Sequence, residues 1–223
     1  AQSFTITIAP VNDAPVFGRI TLVTINEERP TNLVFTVTDV DNPIGDVLTT
    51  AVSSNTNLVS DASLTITGSG TNRTLFLGPR LNANGEATIS IFANDPAGGL
   101  ATNSFLLKVN AVNDRPTFDL ATDVVVWPED VPVQKGIKLA TNISQGPANE
   151  ASQTINFTLT PANKLLFSAQ PVISETGELT FRPATNAFGS TTVSVTLKDS
   201  GDSLRGGTNQ SLAQTFTLTV TNV

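Results

Sequence analysis

Several residue types that commonly carry chemistry are missing from this chain of 223 residues. It contains no cysteine, no histidine, no methionine and no tyrosine, and it has a single tryptophan. Without cysteine, neither disulfide bonds nor thiolate metal sites can form. Without histidine, imidazole-based catalytic triads and imidazole-ligated zinc are excluded as well. Any metal bound by this chain is therefore held by oxygen ligands.

Positive charge is also scarce. Twelve Lys and Arg residues against 19 Asp and Glu residues give a net charge of −7. Nucleic acids and anionic membranes are bound through basic surfaces, so we expect neither nucleic acid binding nor direct membrane insertion. No signal peptide or apolar run of membrane length is evident, and the lack of an initiator methionine indicates a piece of a longer protein. The acidic surplus favours cations as ligands.

Helical periodicity is absent too, whereas alternation of apolar and polar residues recurs throughout the chain. Val, Ile, Thr and Phe dominate runs such as Leu33–Thr38 and Thr192–Leu197. Such period-two patterns predict half-buried β-strands, and turn signals such as Asn84-Gly85 separate them. We therefore expect an all-β fold made of seven-stranded sandwiches.

The chain repeats itself. Phe4, Phe105 and Phe216 lie in three equivalent strand-like runs, separated by 101 and 111 residues, and Asn-Asp-x-Pro words follow the first two runs. These periods predict two tandem β-sandwich domains with Greek-key topology, arranged end to end. The predicted boundaries are 1–11 for the last strand of a preceding repeat, 12–112 for the first repeat and 113–223 for the second repeat.

The alternation also places the individual strands, named A to G in each repeat. In the first repeat we predict A near 16–26, B near 32–39, C near 47–53, D near 62–67, E near 73–78, F near 86–93 and G near 102–110. In the second repeat we predict A near 117–127 with a continuation near 133–140, B near 153–160, C near 165–173, E near 178–183, F near 190–198 and G near 212–221.

Acidic residues cluster at the ends of these strands. The Asn-Asp-x-Pro motif that precedes each repeat is called the linker. Sandwich topology brings the linker, the B–C loop and the F–G loop to one end of a domain, named the leading pole, and it puts the A–B turn at the other end, the trailing pole. In the first repeat we expect five residues to converge at the leading pole: Asn12, Asp13, Asp39, Asp41 and Asp95. At its trailing pole we expect Glu27 and Glu28, facing Asn113, Asp114, Glu150 and Asp199 of the second repeat.

Clustered carboxylates repel one another unless a cation neutralises them. Oxygen ligands alone favour Ca²⁺ or Mg²⁺ over transition metals, and an irregular set of about six to eight oxygens favours Ca²⁺. We predict calcium at the first leading pole and at the junction between the repeats. The plainer alternative is that each Asn-Asp word only caps backbone amides in a turn, and Glu129-Asp130 is interpreted as a solvated A–B turn.

The recurring words resemble those of bacterial cadherin-like and Ig-like tandem repeats, which occur in giant surface proteins. The resemblance is carried by the Val-Asn-Asp-Ala-Pro linker, by Glu27-Glu28 after strand A and by Asp39-Val40-Asp41 after strand B. It implies Ig/cadherin-like sandwiches in calcium-stiffened extracellular stalks at the cell surface, used in adhesion and contacting neighbouring repeats or like subunits. The second repeat departs from the pattern, because Thr160-Pro161-Ala162-Asn163 stands where an Asp-x-Asp is expected.

Other functions compete with this one. Residues 1–9 match strand G, so a polymerising fibre subunit that donates this strand to a neighbouring subunit is one alternative. A module that binds cell-surface glycan or protein is another, with Trp127 as a stacking platform, although core packing is the commoner role of such a ring. An enzyme needs paired carboxylates in a cleft, whereas these lie on loop tips, so we expect no catalysis.

Overall fold

The structure is a computed structural model that describes residues 2–131 and 136–223. The chain divides into two compact units, Ala1–Ala111 (unit 1) and Val112–Val223 (unit 2). In the described residues the regular elements are β-strands and five 3-10 turns of three residues each, with no α-helix. The predicted all-β fold of two tandem Ig/cadherin-like sandwich domains is confirmed.

Unit 1 is a sandwich of two four-stranded sheets. One sheet has the order β1-β3-β6-β5 and the other the order β2-β8-β7-β4. Neighbouring strands are antiparallel except that β2 runs parallel to β8. The strands are β1 (Val16–Phe17), β2 (Val23–Asn26), β3 (Thr31–Thr38), β4 (Leu48–Ser53), β5 (Ile66–Thr67), β6 (Asn72–Leu77), β7 (Gly85–Asn94) and β8 (Leu100–Asn110).

The core of unit 1 lies between these sheets. Phe35 of β3, Leu75 of β6, Ile89 of β7 and Leu107 of β8 are at most 4% exposed. Successive side chains of a strand point to opposite faces, which is why the apolar residues of the alternating runs all reach the core. For the same reason the sequence places all seven strands of this unit close to their observed positions, with strand A split into β1 and β2.

Unit 2 has the same sandwich plan, with one of its two layers divided into smaller sheets in the described residues. Its three sheets have the orders β10-β17-β16-β13, β11-β15-β14 and β12-β9. Val195, Leu197, Phe216 and Leu218 are buried in its core, at most 1% exposed. The strands are β9 (Thr117–Leu120), β10 (Val124–Pro128), β11 (Ile137–Lys138), β12 (Ala140–Ser144), β13 (Ile155–Pro161), β14 (Phe167–Ile173), β15 (Glu178–Pro183), β16 (Gly189–Asp199) and β17 (Gln214–Thr221).

Strand B of unit 2 is not where the sequence pattern places it. β13, predicted as B, pairs with β16 and is therefore strand C, and β14, predicted as C, pairs with β15 and is strand D. Strand B is β11 together with β12, which pair with β15 and β9. Consecutive burial of Leu139 and Ala140 and a register shift after Thr141 break the alternation there. Residues 133–135 of the predicted continuation of strand A lie outside the described residues, and its described end is the start of strand B.

Candidate functional site

The leading pole of unit 1 (residues 12–13, 39–46 and 95–99) is tied together by its linker. Asn12 Nδ2 donates to Asp95 Oδ2 at 3.0 Å, and Asn12 Oδ1 accepts from Asn42 Nδ2 at 2.8 Å. The backbone N–H of Asp13 donates to Asp41 Oδ2 at 2.7 Å. The linker is thus joined to the end of β7 and to the loop between β3 and β4, and it lies beside both groups of carboxylates.

Asp39 organises the loop that follows β3. Its Oδ1 accepts hydrogen bonds from the backbone N–H groups of Asp41 (2.9 Å) and Asn42 (2.7 Å). Its Oδ2 is shielded from solvent and accepts no hydrogen bond within the described part of the chain. A shielded oxygen without a partner costs free energy, and a cation is the partner that an ionised carboxylate takes most readily.

Asp95 directly follows β7 and is 3% exposed. Its Oδ1 accepts from the backbone N–H groups of Ala97 (2.8 Å) and Gly99 (2.9 Å). The hydrogen bond from Asn12 and these backbone bonds together hold the pKa of Asp95 below its ordinary value, against the effect of burial. Asp95 is therefore ionised at neutral pH. A Cβ at position 99 would collide with the Asp95 and Asn12 side chains, so the loop needs glycine there.

The leading pole of unit 2 (residues 113–114, 144–153 and 199–208) encloses Asn113, which is 8% exposed. Asn113 Nδ2 donates to Thr208 O at 2.9 Å and lies 3.3 and 3.4 Å from the two carboxylate oxygens of Asp199. Asn113 Oδ1 accepts from Gln153 Nε2 at 2.7 Å. The backbone N–H of Asp114 donates to Glu150 Oε1 at 2.9 Å. This pole therefore brings Asn113, Asp114, Glu150 and Asp199 together.

The two leading poles use one hydrogen-bond scheme. Glu150 accepts from the Asp114 N–H as Asp41 accepts from the Asp13 N–H, although the two pairs are 36 and 28 residues apart. Glu150 is thus in the B–C loop of unit 2, between β12 and β13, and not just before strand B as the sequence pattern predicts. Ser144 Oγ accepts from the N–H two residues on, as Asp39 does in unit 1, but it brings no charge.

The trailing pole of unit 1 contains Glu27 and Glu28. Glu27 is 1% exposed, and its N–H donates to Asn110 O at 3.0 Å. Glu28 is exposed and has a φ of +59°, the left-handed region, so it forms the corner of the A–B turn. The predicted proximity of these two residues to Asn113 and Asp114, which belong to unit 2, stays a prediction.

The trailing pole of unit 2 contains a carboxylate that the sequence interpretation missed. Glu129 is 7% exposed, so its interpretation as a solvated turn residue is wrong, whereas Asp130 is exposed. Glu129 Oε1 accepts from the N–H of Val223 at 3.2 Å, and its Oε2 is shielded without a hydrogen bond within the described residues. The signal in the sequence is that Glu129 occupies the place of Glu27 after strand A.

Trp127 lies at the end of β10 and is half-buried. Its ring packs edge-on against Phe181, with ring centroids 6.1 Å apart, and its Nε1 donates to Val131 O at 2.8 Å. The ring is therefore part of the packing of unit 2, and its polar group is hydrogen-bonded.

The poles offer oxygen atoms of the type that calcium binds, but their carboxylates alone do not make up a site. In the ranges 2–131 and 136–223, no three carboxylates lie close enough together to hold a metal ion by themselves. Amide and backbone carbonyl oxygens complete calcium sites in proteins, and Asn12 and Asn113 offer such oxygens. Asp39 Oδ2, Asp114 Oδ2 and Glu129 Oε2 are shielded from solvent and accept no hydrogen bond in the described ranges.

The fold has counterparts in known proteins. Residues 12–108 match the family model of the bacterial Ig domain. The chain is similar to human protocadherin-24 EC1-2, form II, at 18% identity over 94% of this chain and all of that chain, with a TM-score of 0.58. It is also similar to Drosophila N-cadherin EC1-4, at 14% identity over 95% of this chain and 50% of that chain, with a TM-score of 0.53. No curated protein matches the chain.

These likenesses confirm the resemblance to bacterial cadherin-like and Ig-like repeats. The chain has an Ig/cadherin-like fold. Within the described residues, no helix has the length and apolar character needed to cross a membrane.

Proposed function

We propose that this chain is a repeat segment of an extracellular adhesin, stalk or fibre, and that Ca²⁺ bound at its poles stiffens it. The observation that carries the proposal is the shared scheme of the two leading poles. In each, a carboxylate of the B–C loop binds the linker backbone, and the carboxylate at the end of strand F binds the linker Asn. An ion bound at the pole would therefore restrict the motion of the linker.

In unit 1 the ion is held by Asp39 through Oδ2 and by Asp41, Asp95 and the Asn12 amide oxygen. In unit 2 the corresponding ligands are Asp114, Glu150, Asp199 and the Asn113 amide oxygen. Bound calcium supplies positive charge that cancels the repulsion among these carboxylates. Without it, the linker is held by hydrogen bonds alone. We propose Glu27 and Glu28 as further ligands at the trailing pole of unit 1. The partners of the chain are then neighbouring repeats or like subunits.

The test compares the whole chain in excess Ca²⁺, in Mg²⁺ and in EDTA. Binding to the folded state stabilises it by about 2.7 kcal/mol when the ion is at 100 times its Kd, so we expect melting several degrees higher in Ca²⁺. Small-angle scattering should show a narrower distribution of shapes in Ca²⁺ than in EDTA. Identical melting and scattering in all three conditions would remove calcium from the proposal.

A second candidate, a fibre subunit that donates its first strand, is favoured by one observation. Phe4, Ile6 and Ile8 are 74–87% exposed, and residues 2–9 form no strand pairing within the described residues. Their equivalents in β8 are Phe105, Leu107 and Val109, all at most 4% exposed. An exposed alternating segment of this kind is suited to adding to a sheet of another molecule.

Deletion of residues 1–9 tests this second candidate. We expect the deletion to abolish filaments and higher oligomers in sedimentation and electron microscopy, and to leave folded single chains. Replacement of Phe4 and Ile6 by Ser is the milder variant and should have the same effect. Filaments that survive both changes, or a parent chain that never assembles, would exclude the donor strand.

A further inference from the structure

Unit 1 contains a buried arginine that the calcium proposal does not use. Arg73, in β6, points into the sandwich from a position in register with buried Leu75 and Leu77, and it is 5% exposed. Its guanidinium donates to Ile44 O at 2.7 Å, to Thr49 Oγ1 at 3.1 Å and to Gly70 O at 3.3 Å. All three acceptors are neutral. Burial of a charge costs free energy unless the charged group is hydrogen-bonded, and these three hydrogen bonds offset that cost for the guanidinium.

The contacts of Arg73 cross the sandwich. Thr49 belongs to β4 in the opposite sheet, and Ile44 opens the 3-10 turn Ile44–Asp46 of the B–C loop. That turn begins two residues after Asn42, which binds both Asp39 and Asn12. The loop is therefore fixed at one end by β3 and at the other end by the guanidinium. An arginine suits this role because its planar fork donates in several fixed directions at once.

We propose that Arg73 is the positioning residue of the unit 1 leading pole, which holds the B–C loop in the shape that presents Asp39, Asp41 and Asn42 to the linker. The consequence for the loop stands on the contacts above. The consequence for calcium affinity rests in addition on the proposed function.

Unit 2 provides an internal contrast. β15 has the same burial pattern as β6, and Leu179, which is fully buried, stands at the place of Arg73. The B–C loop of unit 2 is instead closed on itself, by Gln145 Nε2 donating to Ala151 O at 3.0 Å and by Ser144 Oγ donating to Gly146 O at 2.9 Å. In unit 1 a buried arginine thus anchors the leading pole to the opposite sheet, whereas in unit 2 a leucine stands at the corresponding place.

Hydrogen exchange in EDTA tests the loop without any ion. In Arg73→Met we expect the amides of Asp41 and Asn42 to exchange roughly tenfold faster than in the parent, since the loop opens locally. The exchange rates of the β8 amides should rise much less. The matched control is Arg80→Met, because Arg80 is exposed and binds Thr56 O at 3.0 Å, away from this pole. Arg73→Lys keeps the charge without the fork and should give an intermediate rate, and it replaces Arg73→Met if that variant does not fold. Loop exchange that rises no more than that of β8 would overturn the proposal.

Calcium titration of the same variants tests the consequence for the ion. We expect the Kd at the unit 1 pole to rise roughly tenfold in Arg73→Met and to stay unchanged in Arg80→Met. A lower melting temperature with an unchanged Kd would show that Arg73 stabilises the unit but does not position its ligands. If the parent chain itself shows no calcium binding, the proposed function fails, and the exchange experiment still decides the role of Arg73 in the loop.

Discussion

The leading poles of the two units hold their linkers through the same bonds but with different side chains. Asp41 is exposed and reaches the Asp13 N–H across a spacing of 28 residues. Glu150 is 7% exposed and reaches the Asp114 N–H across 36 residues. The contact between linker and acid, and not the spacing along the chain, is therefore what the two units share.

The poles also differ in charge and in support. Unit 1 gathers Asp13, Asp39, Asp41 and Asp95 around its linker, whereas in unit 2 an uncharged Ser144 takes the backbone contact that Asp39 makes. A larger number of carboxylates gives stronger repulsion at the pole in the absence of a cation, so a bound cation stabilises that pole more. In unit 2 the linker Asn113 is buried and hydrogen-bonded to Asp199, Thr208 and Gln153, whereas Asn12 of unit 1 is exposed. Unit 1 is therefore expected to depend more on the cation, and unit 2 more on its own contacts.

The largest expected effect is on calcium affinity. Asp39→Asn should weaken binding at the unit 1 pole roughly tenfold or more, since one charged ligand is lost from the better-supplied site. Glu150→Gln should reduce the already weaker binding at unit 2 below detection. Calorimetric titration of the whole chain measures both. Glu86→Gln, an exposed change of the same charge in β7, is the control. Equal affinities at the two poles of the parent chain would contradict the asymmetry.

A second, smaller effect concerns side-chain length. Glu150→Asp should cost unit 2 about 1–2 kcal/mol in EDTA, because a buried hydrogen bond to a charged acceptor is lost. Asp41→Glu should cost unit 1 less than about 1 kcal/mol, since Asp41 is exposed and has room to adjust. Trp127 is the single tryptophan, so its fluorescence follows the denaturation of unit 2, and calorimetry follows unit 1. A cost that is equal in the two units would show that burial does not separate them.

The smallest expected effect is a pH dependence of the stability of unit 1. The pKa of Asp95 is lower in the folded state than its ordinary value, so its ionised form stabilises the fold above about pH 4. This stabilisation is lost as the pH falls through the folded-state pKa. Asp95→Asn should melt at a lower temperature than the parent at neutral pH, and the difference should shrink in acid. Calorimetry at several pH values checks this, and a difference that is constant with pH would contradict it.

Local alternation predicted the strands of unit 1 well and failed at one strand of unit 2. β3 and β7 are long, regular and buried on one face, so their apolar residues recur at every second position. β12 is interrupted by a register shift, and Leu139 and Ala140 before and within it are buried in succession. Because the period is lost there, the pattern assigned the residues of β11 to a continuation of strand A and moved the names of the next two strands along by one.

The sequence alone determined the class of this protein: an all-β chain of two repeats, with Asn-Asp motifs at the repeat starts. Because Cys and His are missing, oxygen atoms are the side-chain ligands it can offer a metal ion. These are properties of composition and of neighbours along the chain. Only the tertiary structure decided that Glu150 lies in the B–C loop and accepts from the Asp114 N–H, that Glu129 is buried and that Arg73 crosses the sandwich. Each of these depends on which loop a fold brings beside which strand, since hydrogen bonds between residues tens of positions apart leave no periodic trace in the sequence.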